Sequence, residues 1–101
     1  MSELGSQLDI SATEDGWTLS GEVDAHTAPM LAAAMATLPP GVVKVDMMGV
    51  SFMDSSGLRV LMEATTRARE AGGDLVVARP SPAVARLVEI SGLSEQLRLD
   101  G

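Results

Sequence analysis

Apolar and polar residues alternate along Leu8–Thr13 and again along Trp17–Val23, the two-residue period of a half-buried strand. Between the runs stands Glu14-Asp15-Gly16, whose Asp-Gly pair is a tight-turn signal, so these two segments predict an antiparallel hairpin. The period then lengthens. Thr27 precedes Pro29, which suits a first helical turn, and Leu31, Ala34, Met35 and Leu38 supply an apolar stripe that Pro39-Pro40-Gly41 ends, so Thr27 is expected to cap a helix here. Val42–Met47 is a β-branched run that reads as a buried strand, and Met48–Met53 reads as a connection. A helix is predicted from about Ser55 to Ala71, closed by Gly72-Gly73, and Leu75–Ala78 is the next strand. Ser81 before Pro82 starts a further helix whose stripe is Val84, Leu87 and Val88, ending at Gly92, and Gln96–Leu99 is expected to add an edge strand.

Strands that alternate with helices after an opening hairpin define an α/β fold, because each strand-helix-strand unit sets parallel neighbours through a right-handed crossover. The expectation is a mixed, mostly parallel sheet of four to five strands with three to four helices. At 101 residues the chain has the size of one domain, so residues 1–101 are assigned to a single unit without repeats or linkers.

Composition narrows the function. Hydrophobic residues are 46% and charged residues 21%, the proportions of a chain that folds. One Trp, one Phe and no Tyr leave no stacking platform for single-stranded nucleic acid. Fourteen acidic against seven basic residues give a net charge of −7, which repels phosphate backbones and anionic lipid alike, so neither nucleic acid nor membrane is an expected partner. The absence of cysteine removes disulfides, thiolate metal sites and a cysteine nucleophile. MSELGSQLDI has no basic segment followed by an apolar run, and no window is apolar enough to span a bilayer, so a cytoplasmic protein is expected.

The densest chemistry lies in SFMDSSGLRVL, residues 51–61. With successive residues about 100° apart round a helix axis, Leu58, Leu61, Met62 and Thr65 share a face, which is assigned to the sheet. Ser55 falls near the edge of that face. Ser56 points away from it, on a stripe with Val60, Glu63 and Arg67, and is the hydroxyl expected to meet a partner. Asp54 is placed to accept a hydrogen bond from the amide of Ser56 or Gly57, a cap typically worth about 1 kcal/mol. Gly57 keeps the first turn clear. Exposed amides and the positive end of the helix dipole tolerate an anion, so a phosphate on Ser56 would alter the surface and leave the fold. Taken alone, Asp-Ser-Ser at a helix start reads first as plain capping chemistry.

VSFMDSSGLRVLMEA resembles the hallmark of the STAS domain and, within it, of the bacterial anti-sigma factor antagonists. GEVDAHTAP is similar to that family's acidic motif before the first helix, and SPAVARLVEISGL to its last helix and the following Gly-Leu turn, so the resemblance covers nearly the whole chain. It implies a STAS-like domain and partner switching. The unmodified protein binds an anti-sigma factor that is also a serine kinase, which frees the sigma factor. The kinase then uses its own ATP to phosphorylate the antagonist, the complex separates, and a phosphatase resets the switch. The phosphorylated residue of the family falls on Ser56. Asp24 and Asp54 match the two acids of its motifs and are expected to flank Ser56 from one sheet edge. Arg59 departs from the small residue of many relatives and bears on partner choice.

The expected docking surface therefore comprises Ser55, Ser56, Gly57, Arg59, Val60 and Glu63 on the helix, with Asp24, Asp54 and Met30 beside it. Met30 and Val60 are the apolar contacts, while Met35, Met47 and Met62 are core fillers. No catalytic residue, resident cofactor or metal is expected. His26 reads as a loop residue because no nucleophile and acid are spaced around it as a triad requires. Asp24 and Asp54 alone are a thin ligand set for Mg²⁺. No glycine run has the pattern of a phosphate loop, so nucleotide must arrive with the partner. Arg79, Arg86 and Arg98 read as solvated charges. The free protein is expected to be a monomer and not an enzyme. Two alternatives remain: an unphosphorylated accessory subunit of a membrane transport or other signalling assembly, with Ser56 a buried contact, and nucleotide hydrolysis at the Asp24/Asp54 edge.

Overall fold

The computed structural model describes residues 7–100, so the N-terminal reading falls mostly on residues outside the described ones. The elements run β1 (Leu8–Thr13), β2 (Gly16–Val23), α1 (Ala28–Ala34), β3 (Val42–Met53), α2 (Ser55–Glu70), β4 (Asp74–Ala78), α3 (Pro82–Ile90) and β5 (Arg98–Asp100). Three helices and a five-stranded mixed sheet with an N-terminal hairpin match the expected α/β architecture. The strand order is β1-β2-β3-β4-β5, with β1 antiparallel to β2 and every later pair parallel. Thr13 pairs Gly16 across a two-residue turn.

The register explains where the core sits. Ala12, Trp17, Val45, Val77 and Leu99 form one row across all five strands, and the row points to the helical side, where Trp17, Val45 and Val77 are buried. Adjacent rows point the other way, and there Thr18, Lys44 and Arg98 are exposed. Helices therefore cover one face, as successive right-handed crossovers advancing in one direction require. The uncovered face carries mostly polar residues, but Val42, 43% exposed, and Val76 also lie on it. Val76 is only 2% exposed there, because its cross-strand neighbours are Lys44 and Arg98, whose methylene stems can lie over it.

Four expectations are corrected. Residues 48–53, read as a connection, continue β3 for 12 residues in all. Register shifts between Thr18 and Ser20 and between Gly21 and Glu22 each insert one extra residue on β3, so burial there recurs at Met47, Val50 and Met53 instead of at every second residue. The bulges hid the strand. α1 stops at Ala34 instead of continuing to Leu38, with Met35 at the C-cap, short of Leu38, the residue that Pro39 bars from helical geometry. Thr27 makes no side-chain cap: it is 3% exposed, and its hydroxyl donates to the Glu22 carbonyl at 2.8 Å while accepting from the Asp24 amide at 3.0 Å. Arg79 and Arg98 are not merely solvated. Arg79 adopts φ 50° and its guanidinium donates twice to one Asp46 oxygen, at 2.6 and 3.0 Å, and Arg98 stands 3.7 Å from Asp74.

The close seat of α2 depends on Gly57. A Cβ there would lie 2.5 Å from Val23 Cγ1 and 2.8 Å from Met53 Cγ. Val23 is fully buried and stiff, so the clash has no inexpensive outlet. Gly57→Ala is expected to destabilise the fold by about 1–3 kcal/mol despite the better helix propensity of alanine, read as a lowered urea midpoint. An unchanged midpoint would show that the junction is loose.

Hydrogen bonds from Arg79 hold the Asp46 carboxyl below its ordinary value, and those from Arg69 do the same for Asp74, helped by the Met48 and Leu75 amides. For a depressed folded value, the stabilisation is fully present above the unfolded value of about 3.9 and is lost as pH falls through the lower folded value. Both pairs are partly exposed, so each contributes at most about 1 kcal/mol. Melting temperatures measured from pH 7 to pH 3 should therefore fall steeply only at the acid end. Asp46→Asn and Asp74→Asn should each flatten that limb; parent-like curves from both would refute the assignment.

Candidate functional site

β2 and β3 are parallel and end in register, Val23 beside Met53, and an aspartate follows each. The Asp54 amide donates to the Val23 carbonyl at 3.1 Å, tying the two strand ends together. Asp24 and Asp54 thus leave the same sheet edge, where open α/β sheets gather functional groups. Each acid builds the helix that follows it. The Asp24 carboxylate accepts from the amides of His26 at 2.9 Å and Thr27 at 3.1 Å, and its carbonyl accepts from Ala28 at 2.7 Å. Asp54 is the N-cap of α2 in extended geometry, and its carboxylate accepts from the Ser56 amide at 2.9 Å.

Between α1 and the first turns of α2 lies a groove of about 300 Å³. Ser55, Ser56, Arg59 and Val60 form one wall; Ala25, Ala28, Pro29 and Ala32 form the other. Ser56 is half-buried and Ser55 exposed, so the expected order of the two hydroxyls is reversed, although both open into the groove. Val60, expected to face outward, is only 8% exposed. The helical wheel gave α2 a single covered face, the sheet. α1 packs beside α2 and covers a second flank, on the side of Val60, with Ala64 and Ala68 also buried along the helix. Alanines at that spacing were the available signal, and their small side chains made it faint.

The other expected residues separate. Gly57 is buried beneath the first turn. Glu63 is exposed but does not line the groove, and Met30, 47% exposed, lines a different depression with Gln7, Leu8, Asp9, His26 and Thr27. Met35 and Met47 are fully buried, while Met62 is half-buried. The small-residue wall of α1 went unread, because Pro29 and its neighbouring alanines looked like ordinary helix-starting residues.

The electrostatics of the groove are lopsided. Arg59 is its one cation, exposed and without an ion pair among the described residues. The acids Asp24 and Asp54 lie behind it, in a chain of net charge −7. Among the described residues no three His, Cys, Asp or Glu side chains cluster as a metal site would need, and no helix is long and apolar enough to cross a membrane. A half-buried hydroxyl on a capped helix start, beside a shallow apolar wall, is suited to docking a protein and to receiving a group on its oxygen.

Fold and site together define a STAS domain: the family model described as "Mlab, STAS domain" matches residues 6–99, and the chain belongs to that family. Several of its relatives are anti-sigma factor antagonists. The anti-sigma-B factor antagonist of Listeria monocytogenes is 37% identical over 84 residues, which cover 80% of this chain and 74% of the relative. Among solved structures, the anti-sigma factor antagonist SpoIIAA in its unphosphorylated form is similar with a TM-score of 0.68 at 23% identity, over 96% of this chain and 89% of that one. The Bacillus cell fate determinant SpoIIAA in the phosphorylated form is similar with a TM-score of 0.64 at 22% identity, over 96% and 92%. At such identities the two structures speak for the fold.

The Asp54 cap makes a local prediction. Asp54→Ala should cost about 1 kcal/mol by urea denaturation and hasten hydrogen exchange at the Ser56 amide, with Asp54→Asn near the parent. Equal exchange in parent and Asp54→Ala would show that the carboxylate does not hold the helix start.

Proposed function

We propose that this protein is an anti-sigma factor antagonist that works by partner switching in the cytoplasm. The unmodified domain docks an anti-sigma factor through the groove between α1 and α2, and the sigma factor is released. The anti-sigma factor is itself a serine kinase. It transfers the γ-phosphoryl group of its own ATP to Ser56 Oγ: the new O–P bond forms as the bond to ADP breaks, and the hydroxyl proton is lost. The domain brings no cofactor and no catalytic group, and a phosphatase restores the hydroxyl by hydrolysis. The free protein is a monomer.

The observation that carries this reading is the position of Ser56, half-exposed at the start of a helix whose amide is already held by Asp54. A phosphoryl group there enters the groove without breaking a core contact, and it adds roughly −1.5 to −2 charges to the surface a partner must cover. The Listeria relative, an anti-sigma-B factor antagonist, and the existence of a phosphorylated form of SpoIIAA support the same assignment.

Incubation with the cognate kinase and ATP should attach one phosphoryl group per chain, read by intact mass. Ser56→Ala should abolish it and Ser55→Ala should not. Ser56→Asp should fold normally and bind the kinase at least roughly tenfold more weakly by calorimetry, the loss of one well-placed contact. Undiminished labelling of Ser56→Ala would refute the assignment of the residue. Co-purification with a transport ATPase subunit, with no kinase able to modify the chain, would instead favour the accessory-subunit role.

A further inference from the structure

We propose that Arg59 is an internal clamp for the phosphoryl group on Ser56, folding over the groove when the modification arrives and so removing both the cavity and its only cation from the docking surface. The proposal rests on the reading of Ser56 as the modified residue and concerns what this chain does with the group afterwards.

The geometry comes from the helix itself. Ser56 and Arg59 are three residues apart in α2, a spacing that brings Cβ atoms within about 5–6 Å on one helix surface. Side chains on a helix lean toward its N-terminus, so Arg59 reaches back over the turn that holds Ser56 instead of away from it. Both residues line the same groove. The guanidinium is exposed and makes no ion pair among the described residues, so no existing bond must break before it moves.

Among the residues described as lining the groove, no other charged side chain competes to hold the phosphate. The α1 wall contributes Ala25, Ala28, Pro29 and Ala32, none of them charged. Behind the serines, Asp54 and Asp24 are repulsive, and so is Glu63 farther along α2. The first-turn amides are left as the other donors, and Asp54 already occupies that of Ser56. A planar fork that binds two phosphate oxygens at once is the strongest partner available here. Once it is engaged, the guanidinium lies across the groove, and an incoming partner meets a closed ion pair in place of a hydroxyl, a cavity and a free cation. Release then follows from occlusion as well as from added charge.

The test uses full-length protein with phosphoserine encoded at position 56, which makes it independent of any kinase. The ³¹P resonance is titrated with pH at low salt in the parent, Arg59→Gln and Arg59→Lys, all checked for folding by thermal melting. A guanidinium on the phosphate favours its dianion, so the parent should titrate about 0.5 unit below Arg59→Gln, roughly a threefold change in proton affinity, with Arg59→Lys between them. High salt should narrow the gap. In the parent, the Arg59 Nε–H resonance should shift and exchange more slowly only when the phosphate is present. Superimposable titrations, or an Arg59 Nε–H indifferent to phosphate, would overturn the clamp while leaving Ser56 as the modified residue. Failure of the cognate kinase to label Ser56 would overturn the reading beneath it and leave the titration result standing.

Discussion

The first turn of α2 rests directly on the ends of β2 and β3, at a distance only a glycine permits. Val23 and Met53 lie where a side chain at position 57 would project, and the Asp54 amide binds the Val23 carbonyl just before the helix begins. This junction fixes the height and direction of α2 relative to the sheet. Because interiors are close-packed and transmit displacement, any lift at Gly57 would move Ser55, Ser56 and Arg59 together. The groove exists because α2 is held this low, with α1 packed alongside it.

The two acids at the sheet edge have a related role. A pair of carboxylates at the ends of parallel strands invites a catalytic or metal-binding interpretation, yet the carboxylate oxygens are engaged by backbone amides of the next turn. They organise the helix starts between which the groove forms. On the α2 side the groove beside them is lined by Ser55, Ser56, Arg59 and Val60. In a domain of net charge −7 the Arg59 guanidinium beside Ser56 has an outsized influence on the local field.

The sheet shows a second division of labour. Parallel strands are usually covered on both faces, but here one face exposes Thr18, Lys44 and Arg98, with Val42 among them. Ion pairs from Arg79 to Asp46 and from Arg69 and Arg98 to Asp74 bind loops, helix and strands at that side and at the sheet's margin. They contribute little energy individually.

Local chemistry determined most of the architecture. The two-residue alternation of β1 and β2, the Asp-Gly turn, the caps at Asp54 and Ser81 and the order of strands and helices are all nearest-neighbour or single-element properties, and they appear in the structure where the chain's own pattern puts them. The motif around Ser56 was legible for the same reason. What the chain did not disclose depends on which elements meet. Residues 48–53 are a strand because β2 pairs with them through two bulges, and a bulge erases the period by which a strand is recognised. Val60 is buried and Ser56 is less open than Ser55 because α1 lies against α2, and a helical wheel contains no second helix. Thr27 turns inward because the Glu22 carbonyl is available to it. Periodicity reports how one element divides between inside and outside; the walls of the groove, and the single cation between them, were decided by packing between elements distant in sequence.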